Sequence, residues 1–142
     1  MAVAYDPANI FAKILRGDLP CHKVFEDAAS LAFMDIMPRC DGHVLVIPKT
    51  PARNIFDISP EALAAMAPAL KIVSAAVVKA FNADGLTLHQ ANEGPGGQVV
   101  FHLHVHLMPR HAGVPLRAAA SVMGKPDALA AHAARIKAAL AG

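Results

Sequence analysis

Three histidines stand at alternate positions in the run Phe101-His102-Leu103-His104-Val105-His106-Leu107. On a β-strand successive side chains point to opposite faces. This spacing predicts His102, His104 and His106 on one face and Phe101, Leu103, Val105 and Leu107 on the other. The apolar set belongs to a core, so the imidazole face must hold something other than hydrocarbon. Two chemistries suit it. Alternate histidines plus a third ligand can bind zinc. Neutral imidazoles, with an ordinary pKa of about 6.5, can instead serve as nucleophile and as acid and base near pH 7. A histidine ladder without chemistry is the remaining account, and it fits one histidine better than three.

The segment just before the histidines is Asn92-Glu93-Gly94-Pro95-Gly96-Gly97-Gln98. Its glycines let backbone N–H groups approach a phosphate closely. Alone it is an ordinary connection; beside three imidazoles it reads as an oxyanion cradle.

Other elements must position these residues. A first helix is predicted from about Asp6 to Arg16, with Asp6 as N-cap, Pro7 at the first helical position and Gly17 past the end. Its Ile10, Phe11, Ile14 and Leu15 share a face. Short strands follow at Lys23–Glu26, Leu31–Met34 and His43–Ile47, the last two joined by a Pro/Gly-bearing turn. Ser59-Pro60-Glu61 opens a long helix to about Phe81, which Pro68 should kink or loosen. Strands are expected at Leu86–Gln90 and at Val99–Met108, the latter stopped by Pro109. An alanine-rich helix from Lys125-Pro126-Asp127 to about Leu140 closes the chain. The order implies an α+β fold: a mostly antiparallel sheet with helices packed against it.

Composition bounds the function. The 142 residues suit one domain, 1–142, and at 55% hydrophobic and 17% charged they are not intrinsically disordered. No run approaches the roughly 20 uninterrupted apolar residues of a membrane span, so no membrane partner is expected. A net charge of +2, unclustered, argues against nucleic acid but leaves small anions open. The N-terminus lacks the pattern of a signal peptide, and Cys21 and Cys40 are too few for a disulfide framework. A cytoplasmic protein is expected.

The pattern His-apolar-His-apolar-His-apolar-apolar at His102–Met108 resembles the signature of the histidine triad (HIT) family of nucleotide hydrolases and transferases. Five further blocks fall in the family's order: Asn9–Gly17, Phe25-Glu-Asp, Leu31–Ile36, Gly42–Lys49 and Asn92–Gln98. They resemble the Hint-like branch over a motif-bearing core of about residues 9–110; residues 111–142 carry no such motif.

The resemblance implies a five-stranded, mostly antiparallel sheet with one long helix and shorter flanking ones. It also implies a mechanism. His104 would attack the α-phosphorus of a purine nucleotide derivative, and water would hydrolyse the nucleotidyl-histidine to release a nucleoside monophosphate. His106 would bind the phosphate oxygens, His102 would support the nucleophile from beneath, and His43 would hydrogen-bond within the cluster. Asn92, Gly97 and Gln98 match positions that contact phosphate or leaving group, and Asp35 matches the carboxylate that takes the ribose hydroxyls. Ile10, Phe11, Ile14, Phe33 and Ile36 match the apolar clamp on the base.

A homodimer is implied through the long helix and the Leu86–Gln90 strand. The substrates implied are nucleoside phosphoramidates or nucleotidyl-linked small molecules. The alternatives are a dinucleoside polyphosphate hydrolase and a nucleotide-binding partner module with little activity. Two departures matter. Val99 stands where the family usually has Ser or Thr, whose hydroxyl helps protonate the leaving group. Asn9 and Ala12 stand where some relatives carry zinc-binding cysteines, so no metal or other cofactor is expected. Arg110 is expected either to contact a distal phosphate or to be a solvated strand-end residue.

Overall fold

A computed structural model of the chain describes residues 3–142. Four α-helices and five strands follow in the order α1 (Ile10–Leu15), β1 (Lys23–Glu26), β2 (Ser30–Met34), β3 (Val44–Pro48), α2 (Pro60–Ala65), α3 (Ala67–Phe81), β4 (Gly85–His89), β5 (Val105–Arg110) and α4 (Pro126–Ala141). The strands form one antiparallel sheet in the order β1-β2-β3-β5-β4. The polypeptide from β3 to β4, which carries α2 and α3, therefore steps over the position that β5 later fills. This is the α+β architecture expected.

Strand alternation divides the sheet residues between two cores. Ala32 and Met34 of β2, Val44 and Val46 of β3, and Val105 and Leu107 of β5 pack under α3 and α4. Leu31 and Phe33 with Leu45 and Ile47 face the other way, where Phe11 of α1 covers them. Both β2 and β3 are buried along their whole length, which explains their unbroken apolar runs. His106 pairs with Leu45 in register and so lies on the α1 side, at the end of the covered patch.

Several local expectations need correction. Helix α1 starts four residues later than Asp6: Asn9 is its cap, accepting the Ala12 N–H at 2.9 Å. Asp6 instead accepts the Ala8 N–H in a tight turn, an alternative that short carboxylates readily offer the backbone. Strand β5 begins at Val105, not Val99. The Leu103 N–H is given to the Ala52 carbonyl at 2.8 Å, so residues 99–104 are tied to the segment after β3 and not to a strand ladder. Phe101 accordingly leaves the core and lies under the Arg53 guanidinium, 4.1 Å from its ring centre. Pro109 does not end the strand. β3 pairs with β5 only from Val105 to Leu107, so at Pro109 the strand has β4 as its one neighbour, and a missing N–H need not interrupt a ladder.

The long helix is divided at Met66, as Pro68 leads one to expect. Met66 gives its N–H to Leu63 in a tightened last turn, and Pro68 falls at the second position of α3, where no intrahelical bond needs its N–H. By length and composition the 22-residue span Pro60–Phe81 could cross a bilayer, with mean hydropathy 1.6 in its most apolar window. Glu61, Lys71 and Lys79 interrupt it, so it is not an uninterrupted apolar run of the kind looked for in the sequence. In the fold its Ala69, Val73, Ala76 and Val77 stripe is buried on the sheet.

Candidate active site

A cleft of about 560 Å³ opens on the α1 side of the sheet, between α1, the ends of β2 and β3, and the segment entering β5. His43, His104 and His106 line it with Asp35, Gly97 and the apolar Ile10, Phe11, Ile14, Phe33 and Ile36.

The three alternating histidines do not share one face of one strand. His106 lies within β5, while His102 and His104 precede it in irregular backbone. His102 is wholly buried and does not line the cleft. Its Nε2–H is given to the Pro48 carbonyl at 2.9 Å, which leaves Nδ1 to accept the Tyr5 hydroxyl at 2.6 Å. The His102 carbonyl in turn accepts Nδ1–H of His104 at 2.7 Å. That bond fixes the His104 tautomer: Nδ1 carries the proton and Nε2 carries the lone pair. The ring of His104 stands edge-on to Phe11, with centres 5.0 Å apart.

A second chain of hydrogen bonds fixes the other two rings. The Arg39 N–H is given to Nδ1 of His43 at 2.9 Å, so His43 carries its proton on Nε2. It passes that hydrogen bond to Nδ1 of His106 at 2.8 Å. His106 must then carry its own proton on Nε2. Burial, reinforced by the neighbouring imidazoles, pushes His43 and His106 down to about 3. Burial also lowers His102 and His104. All four are neutral at pH 7, which suits a nucleophile and a neutral hydrogen-bond donor.

Asp35 follows β2 directly. Its Oδ1 accepts the Met37 N–H at 2.8 Å, and its Oδ2 lies 3.4 Å from Nε2 of His43 and 3.9 Å from Nδ1 of His106. Burial raises its pKa. These three groups are near enough to one another to hold a metal ion. The proton positions do not fit one: His43 presents a proton there, because Arg39 occupies its other nitrogen, and a metal needs a lone pair.

The loop before the histidines is held from within. The Gln98 amide accepts the Glu93 N–H and an Asn54 amide hydrogen, and donates to the carbonyls of Arg53 and Val100. Asn92 accepts from the Ile55 N–H and pairs with the Gln90 amide in both directions. Neither side chain lines the cleft; both brace the turn that presents Gly97, whose φ of +98° lies in the region that favours glycine. Glu93 also has positive φ, +64°, with an extended ψ, a combination open almost only to glycine. Its carboxylate is gripped by both arms of Arg53 at 2.8 Å, with Asn54 as a third donor. This clamp holds Glu93 well below the usual carboxylate range, at about 2.

Ile10 and Ile36 stay 44% and 48% exposed on the cleft wall, while Phe11 and Phe33 pack edge-on beneath. Other cleft or supporting groups were not singled out from sequence. Tyr5 supports His102 from 97 residues away, and Arg39 lines the cleft and orients His43. His89 pairs with His106 across β4 and β5. Ala119 and Ala120 belong to the 111–125 segment, which is tied to the 36–39 loop by Arg117 and Gly124. His89 had a signal, a polar side chain near the end of a predicted strand; Tyr5 and the 111–125 segment depend on distant pairings, and Arg39 orients His43, four residues on, through a backbone N–H that side-chain type does not reveal.

Residues 16–113 match the family profile described as the HIT domain, and the chain belongs to that family. It is 42% identical over 101 residues to the adenosine 5′-monophosphoramidase hnt1 of Schizosaccharomyces pombe, a match covering 71% of this chain and 73% of that one. It is 40% identical over 101 residues to the adenylylsulfatase HINT3 of Arabidopsis thaliana, covering 71% of this chain but only 51% of that longer protein. A crystal structure of a Hit-like protein from Bartonella henselae superposes with a TM-score of 0.90 at 44% identity, covering 96% of this chain and 99% of the other.

Proposed function

We propose that this protein hydrolyses purine nucleoside phosphoramidates or other nucleotidyl-linked small molecules, through a covalent nucleotidyl-histidine on His104, and releases a nucleoside monophosphate. The observation that carries this reading is the bond from His104 Nδ1–H to the His102 carbonyl. It leaves the Nε2 lone pair of a cleft-lining, neutral imidazole free to attack phosphorus.

In this reading the base lies among Ile10, Phe11, Ile14, Phe33 and Ile36, and the ribose hydroxyls meet Asp35. Nε2–H of His106 donates to a phosphate oxygen and stabilises charge as it develops there. The Gly97 turn brings backbone close to the same group. His104 displaces the leaving group, and water then breaks the P–N bond, returning the electron pair to Nε2. A dinucleoside polyphosphate hydrolase would use the same nucleophile; Arg39 on the cleft wall favours that second reading by offering a cation to further phosphate.

The relatives' printed activities support the phosphoramidase reading. We also infer a homodimer: β4 is a sheet edge, and Leu88 on it and Ile72 on α3 are 51% and 45% exposed.

The test is AMP release from adenosine 5′-phosphoramidate by the wild type and by His104→Ala, with EDTA present. Turnover that disappears in the variant is expected. Unchanged turnover in the variant, or turnover lost to EDTA, would overturn the reading.

A further inference from the structure

The cleft wall contains no serine, threonine, tyrosine or lysine among the described residues. Val99, 77% exposed at its edge, has no proton to give. An amine displaced from phosphorus must nevertheless leave protonated. His106 and His43 are fixed as neutral donors in a closed hydrogen-bond chain, and His104 is the nucleophile.

One imidazole remains. His89 stands directly opposite His106 in the β4–β5 register, and so on the same face of the sheet. Its ring centre is 5.6 Å from that of His106, which is itself 5.0 Å from that of His104. His89 lines the cleft and, unlike the other three, is exposed to water, from which it can be reprotonated. No hydrogen bond within the chain engages its ring nitrogens among the described residues, whereas His43, His102, His104 and His106 each have at least one ring nitrogen engaged.

We propose that His89 is a catalytic residue that protonates the leaving group, in place of the hydroxyl that Val99 lacks. The inference rests on the functional reading above. The Nε2 lone pair of His104 forms the P–N bond. The P–X bond breaks, its electron pair stays on X, and X takes the proton of the His89 imidazolium. Neutral His89 then accepts a proton from the attacking water as its oxygen bonds to phosphorus and the P–N(His104) pair returns to His104. Water is the only co-reactant, and His89 ends protonated as it began. Because side chains stand perpendicular to the sheet, pairing of β4 with a second copy through its backbone edge would leave His89 on the cleft face.

Two substrates with one nucleotidyl half separate this role from others. Ammonia leaves adenosine 5′-phosphoramidate only when protonated, whereas p-nitrophenolate leaves the p-nitrophenyl ester of AMP as a stable anion. In His89→Gln and His89→Ala the ratio of kcat/KM for phosphoramidate over ester is expected to fall about 100-fold. Added imidazole should restore phosphoramidate turnover in His89→Ala, and AMP affinity measured by calorimetry should stay near wild type. Equal loss on both substrates, or no loss on either, would overturn the role of His89 while leaving His104 chemistry intact. A wild type that turns over neither substrate would overturn the hydrolase reading and this inference together.

Discussion

His43 gives its Nε2–H to Nδ1 of His106 across 2.8 Å, and the direction is fixed because the Arg39 N–H occupies the other nitrogen of His43. The loop after β2 thereby decides which nitrogen of His106 carries a proton into the cleft. Removing the donor in His43→Ala should free the His106 ring and lower kcat/KM on the order of ten- to a hundredfold. His43→Asn, which keeps an N–H donor, should recover part of that loss in steady-state assays. Wild-type activity in the alanine variant would show that His106 needs no such orientation.

Tyr5 should matter more for stability than for turnover. Its hydroxyl is the partner of Nδ1 in a histidine that is otherwise sealed from water. Tyr5→Phe leaves that nitrogen unpaired, which costs about 1–3 kcal/mol. Urea unfolding should show a lower midpoint with an unchanged slope.

Acid should destabilise the protein through its histidines. His43 and His106 titrate at about 3 in the fold against about 6.5 when unfolded, and His102 and His104 are lowered too. Above pH 6.5 both states are neutral. As pH falls below that value the unfolded chain takes up protons first, so stability declines toward pH 3, by up to about 1.4 kcal/mol per pH unit for each of His43 and His106, and His102 and His104 act in the same direction. Asp35 acts in the opposite sense, since its raised pKa favours proton uptake in the fold, but it is one group against four. Urea midpoints measured from pH 7 to pH 4 should fall, and less steeply in His43→Phe.

The Arg53–Glu93 clamp should behave as one unit. It holds Glu93 in a backbone conformation that a side chain disfavours, two residues before the Pro95-Gly96-Gly97 turn, whose last residue lines the cleft. Arg53→Ala and Glu93→Ala should each raise KM for the nucleotide, and the double variant should add little to either. Additive effects in the four-member cycle would contradict the shared role.

The homodimer reading predicts a monomer from Ile72→Glu or Leu88→Glu. Light scattering at micromolar concentration should give twice the chain mass for wild type and the chain mass for the variants. A monomeric wild type would remove the proposal.

Much of the fold was legible in local pattern. Lys23–Glu26 is a strand with those same bounds, and Ser59 caps the long helix by accepting the Ala62 N–H as its Ser-Pro-Glu sequence implies. Pro68 breaks that helix where it was expected to. The errors came where two local signals competed. Asp6 and Asn9 are both good caps, and a turn at Ala8 gave the position to Asn9. An alternating pattern from Phe101 to Leu107 is equally compatible with extended backbone outside a sheet, so period alone could not place the start of β5.

The chemistry available is legible before folding: imidazoles in number, a glycine-bearing turn beside them, an acid after a strand, and no hydroxyl at position 99. Those are properties of residue types and short spacings, and folding does not alter them. What each group does depends on the fold. It buried His102 beneath the cleft, turned Asn92 and Gln98 inward to brace a loop, and brought His89 opposite His106 from 17 residues away. It also set the proton positions, because a histidine tautomer follows from its partners. Those partners, Tyr5 for His102 and His43 for His106, are supplied by segments that meet only when the sheet closes.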